Sequence, residues 1–166
     1  MSRFFTATEH YCTLFSHHFL PMGMALHQSL MRHAQPFHLW VLCVDEVVEQ
    51  QLRRINLPHV SLIAAHTIET PDLRAVRQQR TLREYCWTLT PFVFDAVLYR
   101  APDIEQVTYL DADLYFFDSP LHLLDEFAAS GKIALLTEHA PAPEYQFTAI
   151  SGRFCVQFNT FRRGPQ

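Results

Sequence analysis

Two aspartates separated by one alanine stand in the segment VTYLDADLYFFD, residues 107–118. Asp111 and Asp113 follow an apolar run, and such a run is typical of a buried strand. Because burying an unpaired carboxylate costs several kcal/mol, we expect a cation or hydrogen bonds to compensate for these charges. Side chains two positions apart in an extended segment point to the same side. Both carboxylates can therefore converge on one point, with Ala112 turned aside.

Carboxylate oxygens are hard ligands that suit Mg²⁺ or Mn²⁺. Two carboxylates rarely saturate such an ion, so positions remain for water and for phosphate oxygens. We therefore predict a metal site at Asp111 and Asp113 that serves a phosphate-bearing ligand. A capping or turn role for both aspartates stays open as the structural alternative. An EF-hand loop is excluded because its sixth and twelfth positions, counted from Asp111, hold Phe116 and His122 instead of Gly and Glu.

The elements that must position this pair alternate between strand and helix. Strand-like runs occupy residues 10–16, 37–44, 59–65, 106–112, 132–139 and 153–161. Helices are expected from Pro21, after an N-cap at Asp45, across 72–100, and from Ser119–Pro120 to Gly131. Within the long segment, Thr90–Pro91 is typical of an N-cap and a first helical residue, so we expect the helix to break and restart there.

This alternation, with nearly continuous apolar strands, predicts an α/β fold with a mostly parallel, doubly covered sheet. Ligands of such sheets bind outside the carboxyl ends of the strands. Asp111 and Asp113 lie where the fourth strand leaves the sheet, so the predicted fold places them at a ligand site.

The sixth strand carries a second set of polar candidates. Alternation places Phe154, Val156 and Phe158 towards the core. Cys155, Gln157 and Asn159 then share the opposite face. Gln157 and Asn159 thus form a polar pair, which we expect to contact a ligand hydroxyl unless this strand face is simply exposed to solvent.

Composition limits the classes of protein and partner. A chain of 166 residues that is 49% hydrophobic and 18% charged fits one folded domain. Its net charge of −4 argues against nucleic acid as a partner, since nucleic-acid binders usually show a basic excess. The four cysteines are scattered without a C-x-x-C pair, which indicates free thiols in a reducing compartment. With no signal-peptide pattern and no apolar run near the ~20 residues of a transmembrane segment, we expect a cytoplasmic protein.

Residues 84–127, which contain VTYLDAD and SPLHLLDEF, resemble the middle of a nucleotide-sugar glycosyltransferase of the GT-A fold, most closely the family 8-like group. In that group a helix, a vlYLDaD strand and a pl.eL helix come in the same order. Segments 11–30 and 152–163 resemble its first strand and helix and its later strand with a donor- or acceptor-contacting Asn. The resemblance implies one Rossmann-like nucleotide-diphospho-sugar transferase domain across residues 1–166.

The same resemblance implies roles for individual residues. Asp111 and Asp113 would hold Mn²⁺ or Mg²⁺ against the donor diphosphate, where the ion neutralises charge on the departing nucleoside diphosphate. The backbone around Ala112 would approach the ribose. On the first strand, Thr13 and Ser16 would belong to the nucleotide-sugar site.

His17 would be a further nucleoside contact, although the group usually carries an acidic residue at the end of this strand. Arg83 is the arginine nearest the helix end that approaches the YLDAD strand. We therefore predict that Arg83 contacts a phosphate.

The implied function is metal-dependent transfer of a sugar, of the hexosyltransferase type, from a nucleotide diphosphate sugar with uracil as the usual base. The acceptor is unknown, and family 8 implies retention of the anomeric configuration. A Mg²⁺-dependent phosphatase using Asp111 as nucleophile and a non-catalytic nucleotide-sugar-binding domain remain alternatives. The group's third metal ligand, a histidine, comes later than Gln166, and no helix follows the last strand. We therefore expect a domain that is incomplete at its C-terminus.

Overall fold

A computed structural model describes residues 8–139 and 152–164. Its sheet has six strands: β1 (Glu9–Phe15), β2 (Phe37–Cys43), β3 (Val60–Ala64), β4 (Gln106–Leu110), β5 (Ala134–Glu138) and β6 (Phe154–Arg162). The strand order is β3-β2-β1-β4-β6-β5. Strands β3, β2, β1 and β4 run parallel, and β6 is antiparallel to both β4 and β5. The predicted mostly parallel α/β sheet is confirmed.

The described residues contain five α-helices: α1 (Leu20–His33), α2 (Glu46–Ile55), α3 (Pro71–Gln79), α4 (Leu82–Arg100) and α5 (Leu121–Ser130). The N-cap at Asp45 is confirmed, since its Oδ1 accepts a hydrogen bond from the Val48 N–H at 2.9 Å. Helix α5 ends as predicted at Gly131, whose φ of +65° lies in the left-handed region that glycine favours. Short 3₁₀ turns follow β1 at His17–Phe19 and β3 at Ala65–Thr67.

The predicted helix break at Thr90–Pro91 is wrong, because α4 runs without interruption from Leu82 to Arg100. The helix begins at a capping box in which Thr81 Oγ1 accepts from the Glu84 N–H at 3.3 Å and the Glu84 carboxylate accepts from the Thr81 N–H at 2.9 Å. Pro91 costs the helix one internal hydrogen bond. The capping box and the helix face buried against the sheet outweigh that loss.

Both faces of the sheet are covered, as predicted. Helices α1, α2 and α5 pack on one face, where Leu26, Leu52 and Leu124 join the core. Helices α3 and α4 pack on the other, where Leu73 and Leu89 are buried. All four cysteines are free, and two of them are fully enclosed.

Strand β6 departs from the predicted alternation. Phe158 is buried as expected, but Phe154 and Val156 are 53% and 50% exposed. The register between β5 and β6 shifts at Leu136, which lies opposite Asn159, while the next residue, Thr137, lies opposite Cys155. Because residues alternate between faces only along an unbroken ladder, the assignment of Phe154 and Val156 to the core was wrong, while that of Phe158 is confirmed.

Candidate active site

A cavity of about 680 Å³ opens at the carboxyl ends of β1 and β4. Its lining comes from the end of β1 and the following turn, the turn after β4, one side of α4, and Val156 of β6. A space of this size is in the range of sites for small molecules and cofactors. Its place at the carboxyl edge of parallel strands is the one that α/β sheets use for ligands.

The two aspartates lie in a turn rather than on an extended strand. Strand β4 ends at Leu110, and the Leu114 N–H donates to the Asp111 carbonyl at 3.1 Å. The expectation of strand structure through residue 112 was therefore wrong. Ala112 is 7% exposed and packs into the core, and all three residues, Asp111, Ala112 and Asp113, line the cavity. The turn, not strand alternation, brings both residues to one space.

Asp111 carries an electrostatic cost. Burial raises the pKa of its carboxyl, the nearby Tyr109 hydroxyl opposes the rise, and the charge of Asp113 adds to it. The Asp111 N–H donates to the Gln157 carbonyl at 3.0 Å, which fixes the backbone of the turn against β6. A cation between the two carboxylates would relieve both the burial and the repulsion.

The donor set fits a hard cation that shares its coordination with other ligands. In residues 8–139 and 152–164, no group of three or more His, Cys, Asp or Glu side chains could hold a metal ion. Asp111 and Asp113 therefore supply two oxygen-bearing side chains from the described chain. Mg²⁺ sites of this composition are usually completed by water and by the substrate's phosphates.

The three residues predicted to contact the nucleotide sugar from the first strand and its end have different environments in the structure. Ser16 lines the cavity and is 4% exposed. Thr13 is fully buried within the sheet, and its Oγ1 has no partner in the described chain. His17 does not line the cavity: its backbone N–H and its Nδ1 both meet Asp45 Oδ2, at 2.9 and 3.0 Å.

Arg83 lies on the cavity side of α4. Within the described part of the chain it has no hydrogen bond or ion pair, so its guanidinium is available for a ligand. Two arginines of α3 are engaged elsewhere: Arg77 bonds Glu69 at 2.8 Å and Arg74 bonds the Glu69 carbonyl at 3.2 Å. Arg80 donates to the Thr88 hydroxyl.

Gln157 and Asn159 lie on β6 outside the cavity lining. Gln157 is exposed, and its carbonyl holds the Asp111 N–H. With its amide nitrogen facing acceptors, Asn159 donates to the carbonyls of Phe158 and Cys155 at 2.9 and 3.3 Å. The Asn159 side chain thus lies against the backbone of the β6 irregularity.

Sequence reasoning missed most of the apolar cavity wall. The missed lining residues lie on the 3₁₀ turn, on one side of α4 and on β6: His18, Phe19, Leu82, Cys86, Trp87, Thr90, Pro91 and Val156. The assumed break at Pro91 hid the α4 members, whose spacing follows a single helical face. The T-x-x-E pattern at Thr81–Glu84 was the available signal for a helix that begins at Leu82.

No family model matches the chain. It is 34% identical to the uncharacterized protein YfnD of Bacillus subtilis (strain 168) over 154 residues, which is 92% of this chain and 49% of YfnD. It is also 34% identical to the uncharacterized protein YfnF of the same organism over 113 residues, 68% of this chain and 37% of YfnF. The chain therefore spans about half the length, or less, of these curated relatives.

Solved structures establish the fold. The chain superimposes on mouse xyloside xylosyltransferase 1 with a TM-score of 0.58 at 15% identity, covering 94% of this chain and 67% of that one. The galactosyltransferase LgtC, solved with donor and acceptor sugar analogs, gives 0.53 at 15% identity, covering 92% and 57%. CMP:2-keto-3-deoxy-manno-octonic acid synthetase with CTP gives 0.53 at 10%, covering 94% and 74%. The chain thus has a GT-A-like α/β fold.

In the described residues, no helix is both long and apolar enough to cross a bilayer.

Proposed function

We propose that this chain forms the nucleotide-sugar-binding part of a metal-dependent glycosyltransferase. The observation that carries the proposal is the position of two carboxylates and one unpaired guanidinium in the same cavity at the carboxyl edge of the sheet. Asp111 and Asp113 lie on the turn after β4, and Arg83 lies on α4. This combination suits a nucleoside diphosphate, which needs both a divalent ion and a cationic side chain.

Asp111 and Asp113 would hold Mn²⁺ or Mg²⁺. When bound, the ion would act as a Lewis acid that stabilises charge on the departing nucleoside diphosphate. Arg83 would bind phosphate oxygens, because its guanidinium presents several donors in a planar fork. Ser16, at the end of β1, would contact the nucleoside, and the backbone near Ala112 would lie against the ribose.

The comparisons support the class of reaction. Mouse xyloside xylosyltransferase 1 and the galactosyltransferase LgtC share the fold, and LgtC was solved with donor and acceptor sugar analogs. We propose a UDP-sugar as donor and retention of the anomeric configuration, in line with the sequence resemblance to family 8. The free thiols favour a reducing compartment, and we propose the cytoplasm.

A second candidate is transfer of a nucleotidyl group, as in sugar-nucleotide synthesis. It is favoured by the likeness to CMP:2-keto-3-deoxy-manno-octonic acid synthetase, solved with CTP. That reaction would use the same cavity but would take a nucleoside triphosphate. The two candidates therefore differ in the ligand that the carboxylate pair recognises.

Thermal unfolding with a nucleotide panel tests the proposal. The panel contains UDP, UDP-glucose, UDP-galactose and CTP, each with Mn²⁺ and with EDTA. We expect UDP and a UDP-sugar to stabilise the protein only with Mn²⁺, by about 2.7 kcal/mol at one hundred times the dissociation constant. Equal stabilisation in EDTA would contradict a metal role, and Mn²⁺-dependent stabilisation by CTP alone would favour the second candidate.

A further inference from the structure

Asp45 joins the two chain segments that leave β1 and β2. Its Oδ2 accepts hydrogen bonds from the His17 N–H at 2.9 Å and from His17 Nδ1 at 3.0 Å. Its Oδ1 accepts from the Val48 N–H at 2.9 Å and so caps α2. Each oxygen therefore has a separate task, one within α2 and one on the turn after β1. We call the His17–Asp45 contact the clamp.

The clamp holds a turn that forms part of the cavity. The Phe19 N–H donates to the Ser16 carbonyl at 2.9 Å, which closes the 3₁₀ turn at His17–Phe19. Ser16, His18 and Phe19 line the cavity, whereas His17 and Asp45 do not. The ring of His18 packs against that of His17 with centroids 3.9 Å apart and planes tilted by 40°. The clamp can therefore fix both the turn backbone and the His18 ring.

We propose that His17 is a positioning residue which, held by Asp45, sets the Ser16–Phe19 wall of the cavity for binding a nucleoside diphosphate. This inference rests on the proposed function. His17 and Asp45 act through Ser16 and His18 and do not touch the ligand. The sequence predicted that His17 contacts the nucleoside directly. We assign that contact to Ser16 and His18 instead.

The clamp is electrostatically suited to this role without being essential to the fold. Burial opposes ionisation of Asp45, but the hydrogen bonds from Val48 and His17 outweigh it and hold the pKa of the carboxyl below its ordinary value. The side chains of His17 and Asp45 are 40% and 21% exposed. Ion pairs at such exposure contribute little to folding, so variants of the clamp should still fold.

Two substitutions open the clamp and one restores it. Asp45→Asn keeps an oxygen for the Val48 N–H, and asparagine is a good N-cap, but it turns an amide donor towards the backbone N–H of His17, which can only donate. His17→Ala removes the ring. His17→Asn replaces the ring with an amide nitrogen in a position similar to Nδ1 and should restore the contact. The matched control is Glu49→Gln, which removes the 2.7 Å pair with Arg53 on the same helix α2.

Hydrogen exchange at the amide of Phe19 tests the clamp without a ligand. We expect exchange to be about tenfold faster in Asp45→Asn and His17→Ala than in the wild type, and unchanged in His17→Asn and Glu49→Gln. A tenfold change corresponds to ~1.4 kcal/mol of local opening. Equal exchange in all five proteins would overturn the clamp.

Calorimetric titration with UDP and Mn²⁺ tests whether the clamp matters for ligand binding. We expect about tenfold weaker binding in Asp45→Asn and His17→Ala, and wild-type binding in the rescue and control variants. Faster exchange with unchanged UDP binding would overturn the positioning role. If wild-type protein binds neither UDP nor a UDP-sugar, the proposed function fails, and the ligand assigned to this wall fails with it. The exchange measurement then decides separately whether Asp45 holds the turn.

Discussion

The hydroxyl of Tyr109 lies beside the carboxylate of Asp111, two positions further along the chain, and favours the ionised form of that carboxylate. Tyr109 is 3% exposed, and its hydroxyl also interacts with Thr90 of α4. The first aspartate of the pair is thereby connected to the helix that forms the opposite wall of the cavity. Burial nevertheless leaves the pKa of Asp111 above its ordinary value.

That raised pKa predicts the effect of Asp111→Asn on stability. A carboxyl whose pKa is higher in the folded than in the unfolded state lowers the free energy of unfolding at a pH above the folded-state pKa. This destabilisation disappears when the pH falls below the unfolded-state pKa of about 3.8. We expect the variant, which keeps an acceptor for Tyr109, to be more stable than wild type at pH 7 without metal, by roughly 1 kcal/mol. The difference should shrink to nothing as the pH falls below 4, as measured by urea unfolding across pH. A constant difference at every pH would contradict an electrostatic origin.

Asp113→Asn separates ligand binding from stability. Asp113 is exposed and lies beside Asp111 in the cavity. We expect the free protein to change by less than about 0.5 kcal/mol, while Mn²⁺-dependent stabilisation by UDP is lost. The control is Asp125→Asn on the exposed side of α5, which removes the same charge away from the cavity. A large loss of stability with UDP binding intact would favour a purely structural turn.

Gly23→Ala tests the packing of Phe15 against α1. A Cβ at position 23 would lie 2.5 Å from the Phe15 ring, which lines the cavity at the end of β1. Alanine normally stabilises a helix interior relative to glycine by up to ~1 kcal/mol. Here we expect destabilisation of about 1–3 kcal/mol, because the ring must move. The double variant Gly23→Ala/Phe15→Leu should recover part of the loss in chemical unfolding, and additive losses would show that the ring is not the obstacle.

The start of the first two strands should lose stability in mild acid. His10 and His38 are register partners on β1 and β2, and Trp40 Nε1 donates to His10 Nδ1 at 3.3 Å. Burial is the main cause that lowers the pKa of both histidines. A neighbouring histidine lowers it further, His38 in the case of His10 and His59 in the case of His38. Since the unfolded chain takes up these protons first, the contribution present at pH 7 is lost as the pH falls below about 6.5.

The corresponding measurement is the unfolding free energy from pH 7.5 to 5. We expect the double variant His10→Gln/His38→Gln to show a flatter profile than wild type. His122→Gln, at an exposed position on α5, should keep the wild-type profile. If the double variant and wild type have parallel profiles, the two histidines do not account for the acid sensitivity.

Local patterns predicted the elements of this fold better than their pairing. The buried strands are continuous apolar runs, so alternation with helices identified the α/β class. Nothing along β6 indicates that it runs antiparallel to β4, or that its ladder with β5 slips next to Asn159. These features depend on contacts between distant segments. Phe154 and Val156 were assigned to the wrong environment for that reason.

In the candidate site, too, local patterns were predictable and contacts between distant residues were not. The DAD motif identified Asp111 and Asp113 from residue type and place in the strand pattern, although the geometry behind the prediction was that of a strand and the structure has a turn. His17 is different, because its partner Asp45 is 28 residues away and no local pattern joins them. The sequence marked the region of the turn but not which histidine faces the cavity.

Because α4 is one uninterrupted helix, it is a suitable place to alter the ligand preference of the cavity. One side of this helix presents Arg83, Cys86 and Trp87 to the cavity, while Tyr85 and Leu89 are buried in the core. Cavity residues and core residues thus alternate on a single rigid scaffold. Libraries that randomise only the exposed positions 83 and 87 would change the shape and polarity of the wall and leave the packing beneath it untouched. The helix therefore offers a route to new ligand preferences through side chains that lie outside the core.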